Sequence, residues 1–368
     1  MKIFFLIRSL DVGGAERQMI LLSRGLAERG HEVTIAVFYN GKIDHEVSPR
    51  VRLLNLKKGG RWDNFRFLRN LYKAVRDFHP DIIHGFLIVP NIYAGLLKIL
   101  FPRSRVVWGL RSSQILEGQY TRMDHFTFYL SALLSPLADL MIANSESGRK
   151  YHQKYYFNKN IIAISNGFDS KKYFPQPQRA KDLRIKWGIQ DQEIFIGNVG
   201  RLNPIKDQAL FLQALAALKE RGINFRAICI GSGKPAYKEK LQGLSRDLNL
   251  QSEMLWIDHN EDMAAAYSAF DLTVLCSKSE GFPNVVMESL ACGTPCVVTR
   301  SAGDAALIAT PFGASVASDA NDIADACLQI LQQKKSWTPD EISMSTRARY
   351  DQESLFQRTE ECLSPTRR

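Results

Sequence analysis

The chain has 368 residues, of which 45% are hydrophobic and 23% charged, so two domains with full hydrophobic cores are expected. This composition excludes a disordered chain, a collagen and a coiled coil, and no apolar run reaches the roughly 18 residues of a membrane span. Lys and Arg outnumber Asp and Glu by 48 to 38, and the resulting +10 lies wholly in 1–170, where 24 basic residues face 14 acidic ones; 171–368 holds 24 of each.

In chain order, MKIFFLI is too short for a signal-peptide core and runs into Arg8, so it reads as a first strand of a chain expected to stay in the cytoplasm. Lys2–Ile7, Glu32–Phe38, Val51–Leu56, Asp81–Phe86, Val106–Leu110 and Leu140–Asn144 are short and rich in Val, Ile, Leu and Phe, as strands buried on both faces are. Helical stretches separate them, such as Ala15–Arg29 with Met19, Leu22 and Leu26 on one face. The longest apolar candidate, Leu87–Phe101, is interrupted by Pro90, Asn91 and Lys98.

The second half repeats the pattern. Strands are expected at Glu193–Val199, Arg226–Ile230, Met254–Ile257, Leu272–Leu275 and Cys296–Val298. Helices are expected near Lys206–Arg221, Lys234–Leu248, Glu261–Phe270, Asn284–Ala291 and Asn321–Gln333. This order predicts two doubly wound α/β domains with parallel sheets, joined by a linker over Asn166–Gln178. Asp340–Leu363 reads as a terminal helix that Trp337, Tyr350, Leu355 and Phe356 can anchor. Ligands of open α/β sheets sit beyond the carboxyl ends of the strands, which makes the cleft between the two domains the expected site. Cysteines at 229, 276, 292, 296, 327 and 362 lack histidines at zinc-finger spacing and read as buried reduced thiols.

Three segments carry chemistry. RSLDVGGAERQ (8–18) lies between the first strand and the first helix, where Gly13 and Gly14 let the backbone approach an anion at a helix N-terminus. Its spacing is not G-x-G-x-x-G, so a dinucleotide reading is weak. NVGRLNPIKD (198–207) occupies the same place in the second half, and Arg201 and Lys206 there can neutralise a diphosphate, Arg as a fork and Lys as a point charge. SKSEGFPNVVMESLACGTPCVVT (277–299) places Glu280 in a loop and Glu288 about one turn inside the next helix. Gly281, Phe282, Pro283, Asn284 and Val285 open that helix. Carboxylates beside an anion site suit sugar hydroxyls better than phosphate.

With GGAER (13–17), ISNGFD (164–169), VGRLNPIKD (199–207) and EGFPNVVME (280–288), the chain resembles the retaining glycosyltransferases of family 4, built on the GT-B fold of two Rossmann-like domains facing a cleft. The resemblance covers nearly the whole chain. It implies an acceptor-binding domain over 1–170, a nucleotide-sugar-binding domain over 171–345, and a helix in 346–368 that packs back on the first domain. It implies that Arg201 and Lys206 bind the donor diphosphate, Glu288 the ribose and Glu280 the transferred sugar. The amides of Phe282 to Val285 would meet diphosphate or sugar, and Gly13 and Gly14 would close over the donor. The implied reaction is hexosyl transfer from a UDP- or GDP-linked sugar with retention, with no cofactor and no metal, since Arg201 and Lys206 can stabilise the departing diphosphate. The leaving diphosphate itself would deprotonate the acceptor hydroxyl.

One departure stands out. Many members carry a His in the loop after the fifth strand, whereas WGLRSSQ (108–114) places Arg111 there, a residue suited to bind sugar or an acceptor phosphate but not to act as a base. His84 and Asn91 are expected to line the acceptor side, the other reading of His84 being a satisfied buried histidine. Between Arg50 and Arg76 lie nine cations, Arg61, Arg66, Arg69 and Lys73 among them, against Asp63 alone. Phe65, Phe67, Leu68, Leu71 and Tyr72 interleave with them. The expectation is a peripheral enzyme docked through 50–76 on the anionic inner membrane face, with a lipid-linked or glycan acceptor, in surface-polysaccharide assembly. Nucleic acid is not expected, because no stacking platform accompanies the charge. The alternatives are a sugar-nucleotide epimerase or hydrolase on the same fold, and a catalytically silent nucleotide-sugar-binding subunit.

Overall fold

The computed structural model describes residues 1–11, 13–60, 63–111 and 121–364. Arg61 of the basic stretch and the residues after Arg111 in the 108–114 loop lie outside these. The chain forms two compact units, one of Met1–Gly167 with the chain from Gln352 onward, the other of Phe168–Asp351.

The first unit runs β1 (Lys2–Ile7), α1 (Gly14–Glu28), β2 (Glu32–Val37), β3 (Arg52–Asn55), α2 (Asn64–Phe78), β4 (Ile82–Phe86), α3 (Ile88–Leu100), β5 (Arg105–Leu110), α4 (Arg122–Leu134), β6 (Leu140–Ala143), α5 (Glu146–Tyr155) and β7 (Ile161–Ala163). All neighbours are parallel, in the order β3-β2-β1-β4-β5-β6-β7. Side chains alternate across a strand, so β1 feeds two cores. Ile3, Phe5 and Ile7 join Met19, Leu22 and Leu26 of α1. Phe4 and Leu6 join Phe67, Leu71 and Val75 of α2, Leu97 of α3 and Phe128 of α4 on the other face.

The second unit runs α6 (Pro177–Lys186), β8 (Ile194–Val199), α7 (Gln208–Glu220), β9 (Phe225–Ile230), α8 (Pro235–Asp247), β10 (Met254–Ile257), α9 (Met263–Ala269), β11 (Leu272–Leu275), α10 (Asn284–Ala291), β12 (Cys296–Thr299), α11 (Ala305–Ala309), β13 (Gly313–Val316), α12 (Ala320–Gln333) and α13 (Pro339–Tyr350). Its parallel order, β10-β9-β8-β11-β12-β13, is again doubly wound. Phe195 packs with α9 and α10 on one face, and Ile196 with α7 and α12 on the other. The last helix, α14 (Gln352–Leu363), belongs to the first unit and lies on α1, with Leu355 and Phe356 in that core.

Some sequence expectations change. The stretch 166–178 is no loose linker, because Phe168 and Tyr173 are buried in the second core. Asp340–Leu363 is two helices rather than one. Its first, α13, stays with the second unit through Ile342 and Tyr350, and the chain crosses at Asp351–Gln352. Phe67 and Leu71 are core residues of α2, whereas Phe65, Leu68 and Tyr72 are exposed. The six cysteines are free, and all but half-buried Cys362 are buried. Among the described residues no helix is long and apolar enough to cross a membrane.

Candidate functional site

In each unit the strand order reverses beside the first strand, between β1 and β4 and between β8 and β11. At such a point the loops leaving two neighbouring strands go to opposite faces and open a crevice at the carboxyl edge. In the second unit these loops are 200–207 after β8 and 276–283 after β11.

The loop after β8 is built tightly. The Asn203 side chain accepts from the amides of Ile205 and Lys206 at 3.1 and 3.0 Å, folding the turn that presents Lys206. The Arg201 carbonyl accepts from the buried Gln208 side chain at 3.0 Å, and Lys278 donates its amide to the Ile205 carbonyl at 2.8 Å, tying the two loops together. The loop after β9 buttresses the first. Gly231 has φ 152°, and a Cβ there would lie 2.0 Å from the Gly200 carbonyl oxygen, so only glycine fits.

Lys206 Nζ lies 2.5 Å from Glu280 Oε1, and the same oxygen accepts from Ser277 Oγ at 2.6 Å. The Glu280 side chain is only 10% exposed and that of Lys206 23%, so the pair is shielded from bulk water. A second ion pair, Lys278 to Asp207 at 3.1 Å, links the same loops. Arg201 is exposed in the loop that carries Lys206. Glu288 sits within α10, where Oε2 accepts from the Tyr267 hydroxyl at 3.0 Å. Burial, and then the Glu288 charge, raise the Tyr267 pKa well above its usual value, so this hydroxyl remains a donor.

At the start of α10 the amides are fewer than the sequence suggested. Pro283 has no N–H, and Asn284 gives its own to the Phe282 carbonyl at 3.0 Å. Among the described residues the Phe282 and Val285 amides have no backbone acceptor. Phe282 packs its ring in the core against Tyr350, which leaves its backbone as the part that can serve a ligand. Gly281 precedes it, half-buried.

In the first unit, Gly13 caps α1 in an extended conformation and Gly14 opens the helix. A Cβ on Gly13 would lie 2.2 Å from the Glu16 carboxylate, so an acid of the same helix already sits over this N-terminus. Arg111 follows β5, stacked 4.0 Å from the Phe86 ring centroid, with Nη1 donating to Asn166 Oδ1 at 3.3 Å. Among the described residues no carboxylate pairs with it. Burial lowers its pKa to about 9, which leaves it charged at neutral pH.

The other two acceptor-side expectations change. Asn91 is buried, and both ends of its amide are spent on Gly109, donating to the carbonyl at 3.0 Å and accepting from the N–H at 3.2 Å. It locks α3 to β5 and offers nothing to a substrate. His84 is 0% exposed between Phe5 and Phe86. Burial, and then the Arg111 charge, push its pKa well below 6.5, so it is neutral. It lines a small pocket of about 10 Å³ with Arg111, Ile142 and Thr359, and its ring is shielded from solvent.

Sequence reasoning passed over Ser277, Tyr267 and Gly231. IGSGKP (230–235), a glycine pair between a strand and a proline-started helix, was the available signal for the last. Among the described residues no three His, Cys, Asp or Glu side chains gather as a metal site.

Comparison with known proteins agrees with this architecture. Residues 12–172 match the family described as Glycosyltransferase Family 4, and residues 180–349 match Glycosyl transferases group 1. D-inositol 3-phosphate glycosyltransferase of Corynebacterium aurimucosum is 30% identical over 367 residues, covering 92% of this chain and 86% of that protein. N-acetylgalactosamine-N,N'-diacetylbacillosaminyl-diphospho-undecaprenol 4-alpha-N-acetylgalactosaminyltransferase of Campylobacter jejuni is 27% identical over 311 residues, covering 81% and 80%. The crystal structure of Anabaena HepE in complex with UDP-glucose superposes with a TM-score of 0.85 at 21% identity, covering 99% of both chains. With both halves matched in order and a relative at this identity over nearly its full length, the chain belongs to glycosyltransferase family 4 and has the GT-B fold.

Proposed function

We propose that the protein transfers a hexosyl unit from a nucleotide-sugar to an acceptor hydroxyl with retention of configuration, without a metal ion. The observation that carries this reading is the Lys206–Glu280–Ser277 cluster at the reversal point of the second sheet. In the proposed donor complex Lys206 exchanges its carboxylate partner for the diphosphate, and Arg201 on the same loop grips a second pair of oxygens. Glu280, released, accepts from sugar hydroxyls, with Ser277 orienting it. Glu288, steadied by Tyr267, accepts from the ribose hydroxyls. The Phe282 and Val285 amides serve the diphosphate or sugar. The two cations stabilise charge as the diphosphate departs, and that leaving group takes the acceptor proton on the same face.

A UDP-linked donor is the reading that the UDP-glucose complex of the structural neighbour supports. The Campylobacter relative's name specifies a diphospho-undecaprenol acceptor. We extend that class, a lipid-linked glycan, to this chain, with Arg111 as the contact for an acceptor anion. The excess of cations in 50–76 supports docking at the anionic inner face of the membrane, as a peripheral cytoplasmic enzyme of surface-polysaccharide assembly. The test is a hydrolysis screen of UDP- and GDP-sugars with the purified protein in excess EDTA. Slow release of one nucleotide from one donor is expected. Activity seen only after Mn²⁺ or Mg²⁺ is added would reject the metal-free mechanism, and no release from any donor would reject the transferase reading.

A further inference from the structure

The exposed apolar side chains are distributed unevenly. Among the described residues, eleven of the seventeen large ones lie on α2, α3 and α4. These three helices cover the same face of the first sheet, since Phe67, Leu71, Leu97 and Phe128 share one core. Their outward sides therefore form one continuous surface. Phe65 is 86% exposed, Ile99 66%, Phe126 62% and Leu133 61%, exposures that a folded chain rarely gives to so many neighbouring apolar groups.

The order of residues around α2 shows how this surface is charged. At 100° per residue, Phe67, Leu71, Val75 and Phe78 form the core stripe, and Arg66, Arg69, Lys73 and Arg76 form a cationic stripe away from it. Phe65, Leu68 and Tyr72 fill the sector between the two on one side. Leu68 and Tyr72 line a groove of about 270 Å³ with Tyr93, Leu96 and Leu100 of α3. Arg66, Arg69 and Lys73 have no ion pair among the described residues, whereas Arg76 is paired with Asp77. On α4, Met123, Phe126, Tyr129 and Leu133 recur along one exposed side.

We propose that the outer side of α2, α3 and α4 is a bilayer-inserting face. The cationic stripe of α2 lies on the anionic headgroups, Phe65, Ile99, Phe126 and Leu133 enter the acyl boundary, and the α2–α3 groove receives the hydrocarbon of a leaflet lipid. The occupant is an anionic leaflet rather than another protein because cations edge the apolar surface, and because Tyr72 and Tyr129 carry the amphipathic rings suited to headgroup depth. This rests on the membrane contact proposed above and adds α3 and α4, which lie outside the basic stretch.

The test is flotation of the full chain with vesicles of phosphatidylglycerol and phosphatidylcholine, or of phosphatidylcholine alone. Binding to the anionic vesicles at low salt is expected, with a fraction that persists at about 1 M salt, where the Debye length is about 3 Å. Arg66→Glu with Arg69→Glu and Lys73→Glu should abolish the salt-sensitive part. Ile99→Ser with Phe126→Ser and Leu133→Ser should lower the salt-resistant part by roughly tenfold and keep the low-salt binding. These positions are exposed, so the variants should melt as the parent does. In Phe126→Trp, added emission should be quenched by bromine-labelled lipid. No binding at low salt would overturn both the insertion and the charge reading. A salt-resistant fraction untouched by the serine variant, or unquenched indole emission in Phe126→Trp, would overturn insertion alone. A dimer in light scattering that Phe126→Ser dissociates would assign the face to a second copy and also overturn it. None of these readouts depends on the sugar donor.

Discussion

Asn91 and His84 are both polar residues set among apolar ones, and the fold places both in the interior. Asn91 joins Gly109 by two hydrogen bonds, and Asn91→Ala removes both, leaving the buried Gly109 carbonyl with the Leu87 N–H at 3.2 Å. The expected cost is about 1–3 kcal/mol of stability, read as a lower urea midpoint, with the acceptor KM of the folded enzyme unchanged. A raised KM at parental stability would return Asn91 to the acceptor site. The histidines have a pH signature. His84 is held well below 6.5 by burial and then by Arg111, and burial holds His152 at about 4 against its hydrogen bond to the Gly148 carbonyl. Both take up protons on unfolding below pH 6.5, because the unfolded chain titrates there and the native one does not. Their contribution is complete above pH 6.5 and declines as pH falls toward the native values, by at most about 1.4 kcal/mol per pH unit for each. Urea midpoints at pH 7.5 and 5 measure this, and equal values would mean that neither ring is kept neutral.

The attachment of α14 to α1 shows what one glycine does for an element. A Cβ on Gly25 would lie 2.3 Å from the Phe356 ring, so the two helices approach at a distance only glycine allows. Arg29 pairs with Glu353 and Glu360, each at 3.0 Å, but these groups are partly solvated and add little. At the far end Arg105 Nη1 donates to the carbonyls of Cys362, Leu363 and Ser364 at 2.7, 3.1 and 3.2 Å, a cation on the negative end of the helix. Gly25→Val should expel Phe356, cost roughly 1–3 kcal/mol and speed amide exchange through 352–363. Parental exchange there would show that the helices are held by other contacts. A glycine inside a helix pattern marks such an approach, so this contact was partly legible. The break at Asp351 was not, because helix propensity runs across it and only the change of packing partner divides α13 from α14. β7 and β13 were missed for a related reason. Ile161–Ala163 has three residues and Gly313–Val316 has little apolar mass, and each is a strand because its neighbour β6 or β12 supplies parallel partners.

At the scale of the whole molecule, the alternation of strands and helices carried the two doubly wound sheets, since buried parallel strands leave continuous apolar runs in the sequence. The donor-site residues were legible as types, a cation loop and a carboxylate pair. Their contact was not, because Lys206 and Glu280 are 74 positions apart and are brought together by the β8–β11 pairing and the contacts of Lys278 with the loop after β8. The crowding of apolar groups on α2–α4 was half visible, as cations with aromatics between them, and the structure assigns those aromatics separately to core and surface. The claim on which the functional account turns is that Lys206 leaves Glu280 for the donor diphosphate. It is tested most directly by the turnover of Lys206→Ala on whichever donor the screen identifies. The expected result is a loss of roughly 2–4 kcal/mol of transition-state stabilisation, about 30- to 1000-fold, with an unchanged circular dichroism spectrum. Near-parental turnover in a folded Lys206→Ala would contradict it.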